Sequence, residues 1–339
     1  MSEAKNRVIV LKRNPVGVPT EDDFELVVQE IPRPEDGQVL VRNHFISVDP
    51  YMRGRISAAP SYADNWKPGE PMRGGCVGEV VESRNDRLPV GRFVTGGLGW
   101  RDYFVADADA VNPVDPQAAP LSAFLGVLGM PGMTAFVGFS KLAEPVAGQT
   151  IFVSGAAGAV GSMVCSLARL QGLKVIASAG TARKVEWLQE RIGVDAAINY
   201  RETADLAAAV RSAAADGVDI SFDNVGGAHL EAALGNMKQN GRIICCGMIS
   251  VYNATEPPAA PRNLFLIVGR RLRLQGFIVG DHWHHHEEFL REIAPRVRSG
   301  EIPYEETVTE GLASAPRAFV GLFHGENLGK MVVRVAPGA

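Results

Sequence analysis

Residues 151–161, Ile-Phe-Val-Ser-Gly-Ala-Ala-Gly-Ala-Val-Gly, are those best suited to hold a phosphorylated ligand. The apolar run Ile151, Phe152 and Val153 reads as a buried parallel strand. Gly155, Gly158 and Gly161 then open a segment of helical character, 162–170. Strand, glycine turn and helix together set a pyrophosphate against a helix N-terminus, where unpaired N–H groups and the helix dipole favour an anion. Small residues are needed because the backbone must approach the phosphates and the helix must pack close to the strand. Ala156 stands where the usual first glycine would be. A second strand, 174–178, follows at the spacing of one βαβ unit and strengthens the dinucleotide reading over a plain structural turn.

The end of that second strand says which dinucleotide. NAD-specific sites usually place an Asp or Glu there to bind the ribose 2′-hydroxyl. This chain has Ala179-Gly180-Thr181, with no acid, and then Arg183 and Lys184 in the first turn of an expected helix. A cation there would neutralise a 2′-phosphate, so NADPH is expected. The plainer alternative is that both are solvated surface residues.

These residues need elements to position them. A chain of 339 residues suggests about two domains, and 46% hydrophobic residues suit a globular protein with a large core. A net charge of −4 gives no reason to expect nucleic acid or an acidic membrane surface as partner. Cys76, Cys165, Cys245 and Cys246 are sparse and irregular, with no disulfide framework and no CxxC pair, so a reducing cytoplasm is expected. The charged N-terminus lacks the apolar core and cleavage site of a signal peptide. Residues 117–140 carry no charge, but Pro120, Pro131 and four glycines interrupt them. Pro131-Gly132 is expected to split this stretch into two short buried helices at a domain junction, not to let it span a membrane.

Residues 1 to about 120 read as β-rich, with apolar runs at 8–11, 24–28, 39–42 and 77–81 between turn signals. From about 122 to 295 strands and helices alternate: strands at 196–200, 218–223 and 241–246, helices at 206–215 and 229–237. This is the order of a doubly wound sheet. The run 272–278 looks like a late edge strand, and an apolar edge is normally covered or paired. The tail, 301–335, returns to strand-like runs and is expected to rejoin the first domain. Asp281-His282-Trp283-His284-His285-His286 invites a metal reading. Its histidines are too nearly contiguous to face one ion from a helix, and Asp281 is expected instead to cap a helix starting near His282.

At this point the motifs resemble a family: the medium-chain dehydrogenase/reductase superfamily, in the zinc-free branch of leukotriene B4 12-hydroxydehydrogenase/prostaglandin reductase and plant alkenal double-bond reductases. The residues that carry the likeness are Val48-Asp49-Pro50-Tyr51-Met52-Arg53, Gly129-Met130-Pro131-Gly132-Met133-Thr134-Ala135 and Ala156-Ala157-Gly158-Ala159-Val160-Gly161-Ser162. Further along are Phe222-Asp223-Asn224-Val225-Gly226-Gly227, Ser250-Val251-Tyr252-Asn253 and Asn327-Leu328-Gly329-Lys330. The resemblance implies an α/β fold made of a GroES-like β-rich domain and a Rossmann domain, with NADPH in the cleft between them. It also implies a homodimer. The expected division is 1–122 for the substrate and catalytic domain, 123–295 for the NADPH-binding domain, and 296–339 for a return segment.

Roles follow from the same resemblance. Ala156, Gly158, Ala159, Val160 and Gly161 would form the pyrophosphate turn, and Lys184 and Tyr200 resemble 2′-phosphate contacts. Asn224 resembles a residue beside the nicotinamide ribose, and Cys246 and Asn327 resemble further cofactor contacts. The backbone of Phe277, Ile278 and Val279 resembles the segment that holds the carboxamide. Tyr252 resembles the hydroxyl that binds the substrate oxygen and stabilises an enolate, and Tyr51 resembles a substrate-pocket residue. For Asn224, Tyr252 and Tyr51 the alternatives are a turn-former, a packed loop aromatic and ordinary core.

Zinc alcohol dehydrogenases of the superfamily hold their metal with an early Cys, a His-Glu pair after a glycine, and a later Cys. Here Gly75 and Cys76 stand where His and Glu would be, Tyr51 and its neighbours occupy the early Cys region, and the four-cysteine lobe is absent. An alcohol would then lack the usual Lewis acid that makes it an alkoxide, whereas a conjugated alkene has no such need. The expected activity is NADPH-dependent reduction of the C=C bond of an enal or enone by hydride transfer to the β-carbon. The alternatives are a quinone or secondary-alcohol oxidoreductase, and a non-catalytic NADPH-binding structural or regulatory protein.

Overall fold

In the computed structural model six strands in the middle of the chain form one parallel sheet. Its strands are β1 (Thr150–Val153), β2 (Lys174–Ala179), β3 (Ala196–Asn199), β4 (Val218–Asp223), β5 (Met237–Cys245) and β6 (Arg273–Gly276). Their order across the sheet is β3-β2-β1-β4-β5-β6. β1 is buried at every position, because a central parallel strand is covered on both faces. Helices Ala159–Leu170, Ala182–Trp187, Leu206–Ala213 and Ala228–Asn236 make the crossovers. Phe152, Ile176, Val210, Leu234 and Ile243 form the core beside the sheet, each side chain contributing roughly 1.5–3 kcal/mol by leaving water. The chain path reverses direction between β1 and β4, and ligands of such sheets bind outside the strand ends at that point.

The structure describes residues 5–335, which divide into two units. One is Val127–Glu305, which holds this sheet; the other joins the residues up to Gly126 with those from Glu306 onward. In the latter, Gln38–Ser47 is the long central strand of a mainly antiparallel sheet, flanked by Cys76–Ser83 and Lys330–Arg334, with Tyr103–Asp107 also paired to it. Phe24, Trp100 and Phe319 pack as an aromatic group in its core, with ring centroids 5.8–6.2 Å apart. The fold is therefore α/β: a Rossmann unit and a GroES-like β-rich unit.

Several sequence expectations are corrected. Pro131 does not separate two helices. It sits in the first turn of Met130–Phe136, where a missing N–H costs no helical bond, and that helix runs on into a π-helical turn, Val137–Leu142. The break lies before it, between the short 3-10 helix Leu121–Leu125 and Gly129. Among the described residues no helix is long and apolar enough to cross a membrane. Asp281 caps nothing: it lies inside the 3-10 segment Val279–His285, and the longer helix begins only at His286. The tail is not purely strand-like, because helix Ala315–His324 connects the parallel strands Glu306–Glu310 and Lys330–Arg334. The helix after the glycine turn starts at Ala159, three residues before Ser162.

Candidate active site

At the end of β1 the backbone turns on glycines for a steric reason. Gly155 has φ +59°, a left-handed conformation that favours glycine. A Cβ on Gly161 would stand 2.4 Å from Gly155 O and 2.7 Å from Ala156 Cα, so the helix meets the turn at a distance that no side chain permits. Ala156 N donates to Ser178 O over 2.9 Å, which ties the turn to β2. Ala156 itself is buried and packs, whereas Gly158, Ala159 and Val160 remain partly exposed. Gly158 is the N-cap of Ala159–Leu170 and supplies no capping side chain. The first N–H groups of this helix, at Ala159, Val160 and Gly161, fit the pyrophosphate of a dinucleotide.

Asn224 is fixed by a residue the motif reading passed over, Ser154. The Ser154 hydroxyl donates to Asp223 Oδ1 (2.5 Å) and accepts from Asn224 N (2.9 Å), while Asn224 Nδ2 donates to Ser154 O (2.8 Å). Asp223, only 1% exposed, also accepts from the N–H groups of Val225 and Gly226. Its carboxylate is thus a scaffold that binds the ends of β1 and β4 together. With Nδ2 engaged by Ser154 O, Asn224 Oδ1 is turned the other way.

The loop after β5 is stitched to the same place. Cys246 N and Gly247 N donate to Asp223 O, at 2.8 and 3.2 Å, and Ser250 N donates to Val225 O at 3.1 Å. Tyr252 closes the loop: its hydroxyl accepts from Met248 N over 3.3 Å. A Cβ on Gly247 would lie 3.0 Å from Tyr252 Oη and 3.4 Å from Asn224 O, so the tyrosine hydroxyl and Asn224 are neighbours across Gly247. The Cys246 thiol is pushed up to about 12, by burial first and then by Asp223 and Cys245, and stays neutral at physiological pH.

The end of β2 carries cations. Lys184 is half-buried, and its ammonium is held below the usual lysine range by burial and by the charge of Arg201. Tyr200 N donates to Ala179 O (3.1 Å), and its ring stands edge-on to the buried imidazole of His229, centroids 4.8 Å apart. Arg201 lies beside them and was missed. A single arginine after a strand looks like surface, and only the adjacency of β3 to β2 shows where it points. Arg183 is exposed.

Phe277 and Ile278 follow β6, and Val279 begins the 3-10 segment. The π-helical turn reaches this segment: a Cβ on Gly138 would stand 2.9 Å from the Phe277 ring and 2.6 Å from Phe222. In the histidine run Trp283 stacks on His286, and His285 Nδ1 pairs with Glu288 at 2.9 Å. Among the described residues no group of three or more His, Cys, Asp or Glu side chains could hold a metal ion.

Tyr51 and Asn327 belong to the other unit. Tyr51 packs against that unit's core, and burial, reinforced by Asp49, raises its hydroxyl well above the usual tyrosine range. The turn that carries it is anchored by Lys330, whose Nζ donates to Val48 O and Met331 O (2.8 Å each) and pairs with Asp49 Oδ1 at 3.0 Å. The Ser47 hydroxyl donates to the other Asp49 oxygen. Asn327 Nδ2 donates to Gly329 O at 2.8 Å. Cys76 is fully buried in its strand, and its thiol is raised to about 12 by burial.

A doubly wound sheet with a phosphate-fitting glycine turn, in a chain that also carries a GroES-like unit, defines a nicotinamide-dependent dehydrogenase or reductase. The sequence matches two family models, the N-terminal domain of oxidoreductase over residues 7–114 and the zinc-binding dehydrogenase over residues 159–295. It is 42% identical to the NADP(+)-dependent 2-alkenal reductase of Nicotiana tabacum, over 98% of both chains. It is also 42% identical to prostaglandin reductase 1 of Bos taurus, over 96% of this chain and 97% of that one. CurA from Vibrio vulnificus, solved in complex with NADPH, superposes with a TM-score of 0.93 at 39% identity, over 97% of this chain and 99% of that one. The chain belongs to the medium-chain dehydrogenase/reductase superfamily, in the branch that contains the alkenal and prostaglandin reductases.

Proposed function

We propose that this protein reduces the C=C bond of α,β-unsaturated aldehydes and ketones with NADPH. The observation that supports the reading is that Tyr252 Oη and the backbone carbonyl of Asn224 both lie against Gly247, at the sheet end that holds the glycine turn. NADPH supplies a hydride for the substrate β-carbon. Asn224 Oδ1 orients the nicotinamide ribose, and the backbone of Phe277, Ile278 and Val279 holds the carboxamide. As the β-carbon gains the hydride, negative charge moves to the carbonyl oxygen. The Tyr252 hydroxyl, which accepts from Met248 N–H, would donate to that oxygen. One such preorganised donor is worth about 3–4 kcal/mol of barrier. Protonation of the α-carbon completes the saturation. Ala156, Gly158, Ala159, Val160 and Gly161 cradle the pyrophosphate, and Lys184 and Tyr200 bind the 2′-phosphate. Tyr51, kept neutral by burial and Asp49, lines the substrate side, and Cys246 and Asn327 make further cofactor contacts.

In this reading 1–122 is the substrate domain, 123–295 binds NADPH, and 296–339 returns to complete the former. Carbonyl polarisation by a hydroxyl needs no zinc, and the buried neutral Cys76 thiol is a poor metal ligand. Four cysteines without a disulfide suit a cytoplasmic protein. A homodimer is supported by β6, which lies at the sheet edge, and by the exposed Phe265 and Val268 next to it in sequence.

The test is NADPH oxidation against a panel of enals, enones and quinones, before and after dialysis with a chelator. Enones should be turned over, with activity kept after chelation, and Tyr252→Phe should lower kcat roughly 10²–10³-fold with NADPH affinity unchanged. Turnover of quinones alone, or an unchanged kcat in the variant, would remove the assignment.

A further inference from the structure

The segment 246–252, which leads from the end of β5 to Tyr252, is seated on two glycines that follow β4. Gly226 has φ +73° and Gly227 φ +53°, both in the left-handed region that favours glycine. A Cβ on Gly226 would stand 3.1 Å from Met248 Cβ, and one on Gly227 would stand 3.1 Å from Ser250 Oγ. At the second of these contacts polar bonds are added. Ser250 donates twice to one acceptor, Val225 O: through its hydroxyl at 2.6 Å and through its N–H at 3.1 Å. Val225 is tied to the sheet in turn, because its N–H donates to the buried Asp223 carboxylate at 3.0 Å. Ser250 lies in a short 3-10 turn, Ile249–Val251, and Tyr252 ends it. Tyr252 N donates to Ile249 O at 3.4 Å, and Tyr252 Oη accepts from Met248 N, so the tyrosine is bonded to the turn at both ends of its own residue.

We infer that Ser250 is a positioning residue for the reduction: its hydroxyl seats the turn on Val225 O and so sets the place of the Tyr252 hydroxyl. The inference rests on the reading above in which Tyr252 donates to the substrate oxygen. Bonds inside the turn fix its shape but not its position against β4. Cys246 N and Gly247 N hold only the start of the segment to Asp223 O, and Ile249 N reaches Asn224 O over a long 3.4 Å. With its N–H alone on Val225 O, Ser250 would let the turn pivot about a single contact. Two donors from one residue on one oxygen fix the angle of approach as well as the distance. That matters because an oxyanion donor acts at about 2.7–3.1 Å, and a misplacement of about 1 Å can cost about 10²-fold in rate. Ser250 is exposed, so loss of its hydroxyl costs the fold little and falls on the placement of the turn.

The experiment compares native protein with Ser250→Ala and Ser250→Thr, and repeats Ser250→Ala in the Tyr252→Phe background. Steady-state kinetics use the enone that native protein reduces fastest, and NADPH affinity is measured by fluorescence titration. Loss of one neutral hydrogen bond should lower kcat about 3–10-fold in Ser250→Ala. The enone KM and NADPH affinity should each change less than about twofold, because the hydroxyl is placed for the transition state and not for binding. Ser250→Thr keeps the hydroxyl and should recover most of the loss. In the Tyr252→Phe background Ser250→Ala should lower kcat less than about twofold, since the group it places is already gone. A loss of kcat under about threefold, a loss of the same size in the Tyr252→Phe background, or no recovery in Ser250→Thr overturns the inference while leaving the Tyr252 reading intact. If Tyr252→Phe alone keeps the native kcat, the Tyr252 reading fails and the role of Ser250 falls with it.

Discussion

Replacing Lys330 with methionine tests the anchoring of the Tyr51 turn most directly. The ammonium is 4% exposed and satisfied by three acceptors: Asp49 Oδ1, Val48 O and Met331 O. Methionine fills much of the volume but leaves the Asp49 carboxylate, 7% exposed, without its counter-charge. The Ser47 hydroxyl remains as a donor to the other oxygen and offsets only part of the loss. Breaking one side of a buried pair typically costs about 3–5 kcal/mol. For a unit of this size each kcal/mol moves the midpoint by about 2–4 °C, so the unit containing Lys330 should melt roughly 6–20 °C lower. Asp49→Asn in the Lys330→Met background removes the stranded charge and should restore part of that loss. The residual effect should appear as a raised KM for an enone, because the chain at 48–50 leads straight into Tyr51. Differential scanning calorimetry of the two variants, with enone kinetics, gives all three numbers. A Lys330→Met protein within about 1 kcal/mol of native, or a double variant less stable than the single one, would refute the account of a buried pair dominated by the unpaired carboxylate.

Two further outcomes are expected. Cys76 is fully buried with a thiol raised from 9.0 to about 12, so its contribution to stability is intact below pH 9 and is lost as pH rises from 9 towards 12. At one unit above the unfolded value the loss is about 1.4 kcal/mol, and urea unfolding of Cys76→Ala at pH 8 and pH 10 should show a correspondingly smaller drop than native protein. Light scattering should give a dimer mass, and Phe265→Asp with Val268→Asp should shift it towards monomer without loss of NADPH binding; a native monomer at all concentrations would count against pairing through the β6 edge.

Much of the Rossmann unit was legible because its signals are local. The central strands are short, largely apolar runs, and the glycine turn reports its own crowding: Gly161 is required by atoms five and six residues away. The strands β1, β2 and β4 could be placed to within a residue or so for the same reason. Long-range pairings could not be read this way. Ser154 looks like a filler between strand and glycine, and its meaning comes from Asp223. Lys330 could be placed in a motif, but its burial shows only once the strand that carries it pairs with Gln38–Ser47. Helix Ala315–His324 was not read from the sequence, although Pro316 suits a helix's first turn. The apolar residues at Phe319 and Leu322 held the helical spacing that would have revealed it.

The residues whose roles escaped the sequence share one physical office. Ser154–Asp223 and Lys330–Asp49–Ser47 are buried polar clusters, each joining the ends of strands distant in sequence, and each lying directly beneath a loop that carries a proposed ligand contact. Apolar packing holds strands together but tolerates small slides, since dispersion contacts have little directional preference. A hydrogen-bonded carboxylate does not, because a shift of even half an ångström leaves a buried charge less well paired. Hydride transfer needs reacting atoms about 3–3.5 Å apart, so the loops bearing Asn224 and Tyr51 must be placed more exactly than a hydrophobic core alone requires. That need accounts for charged groups at strand ends where apolar residues would pack as well. It also implies that removing either carboxylate should disturb substrate and cofactor geometry before it unfolds the chain.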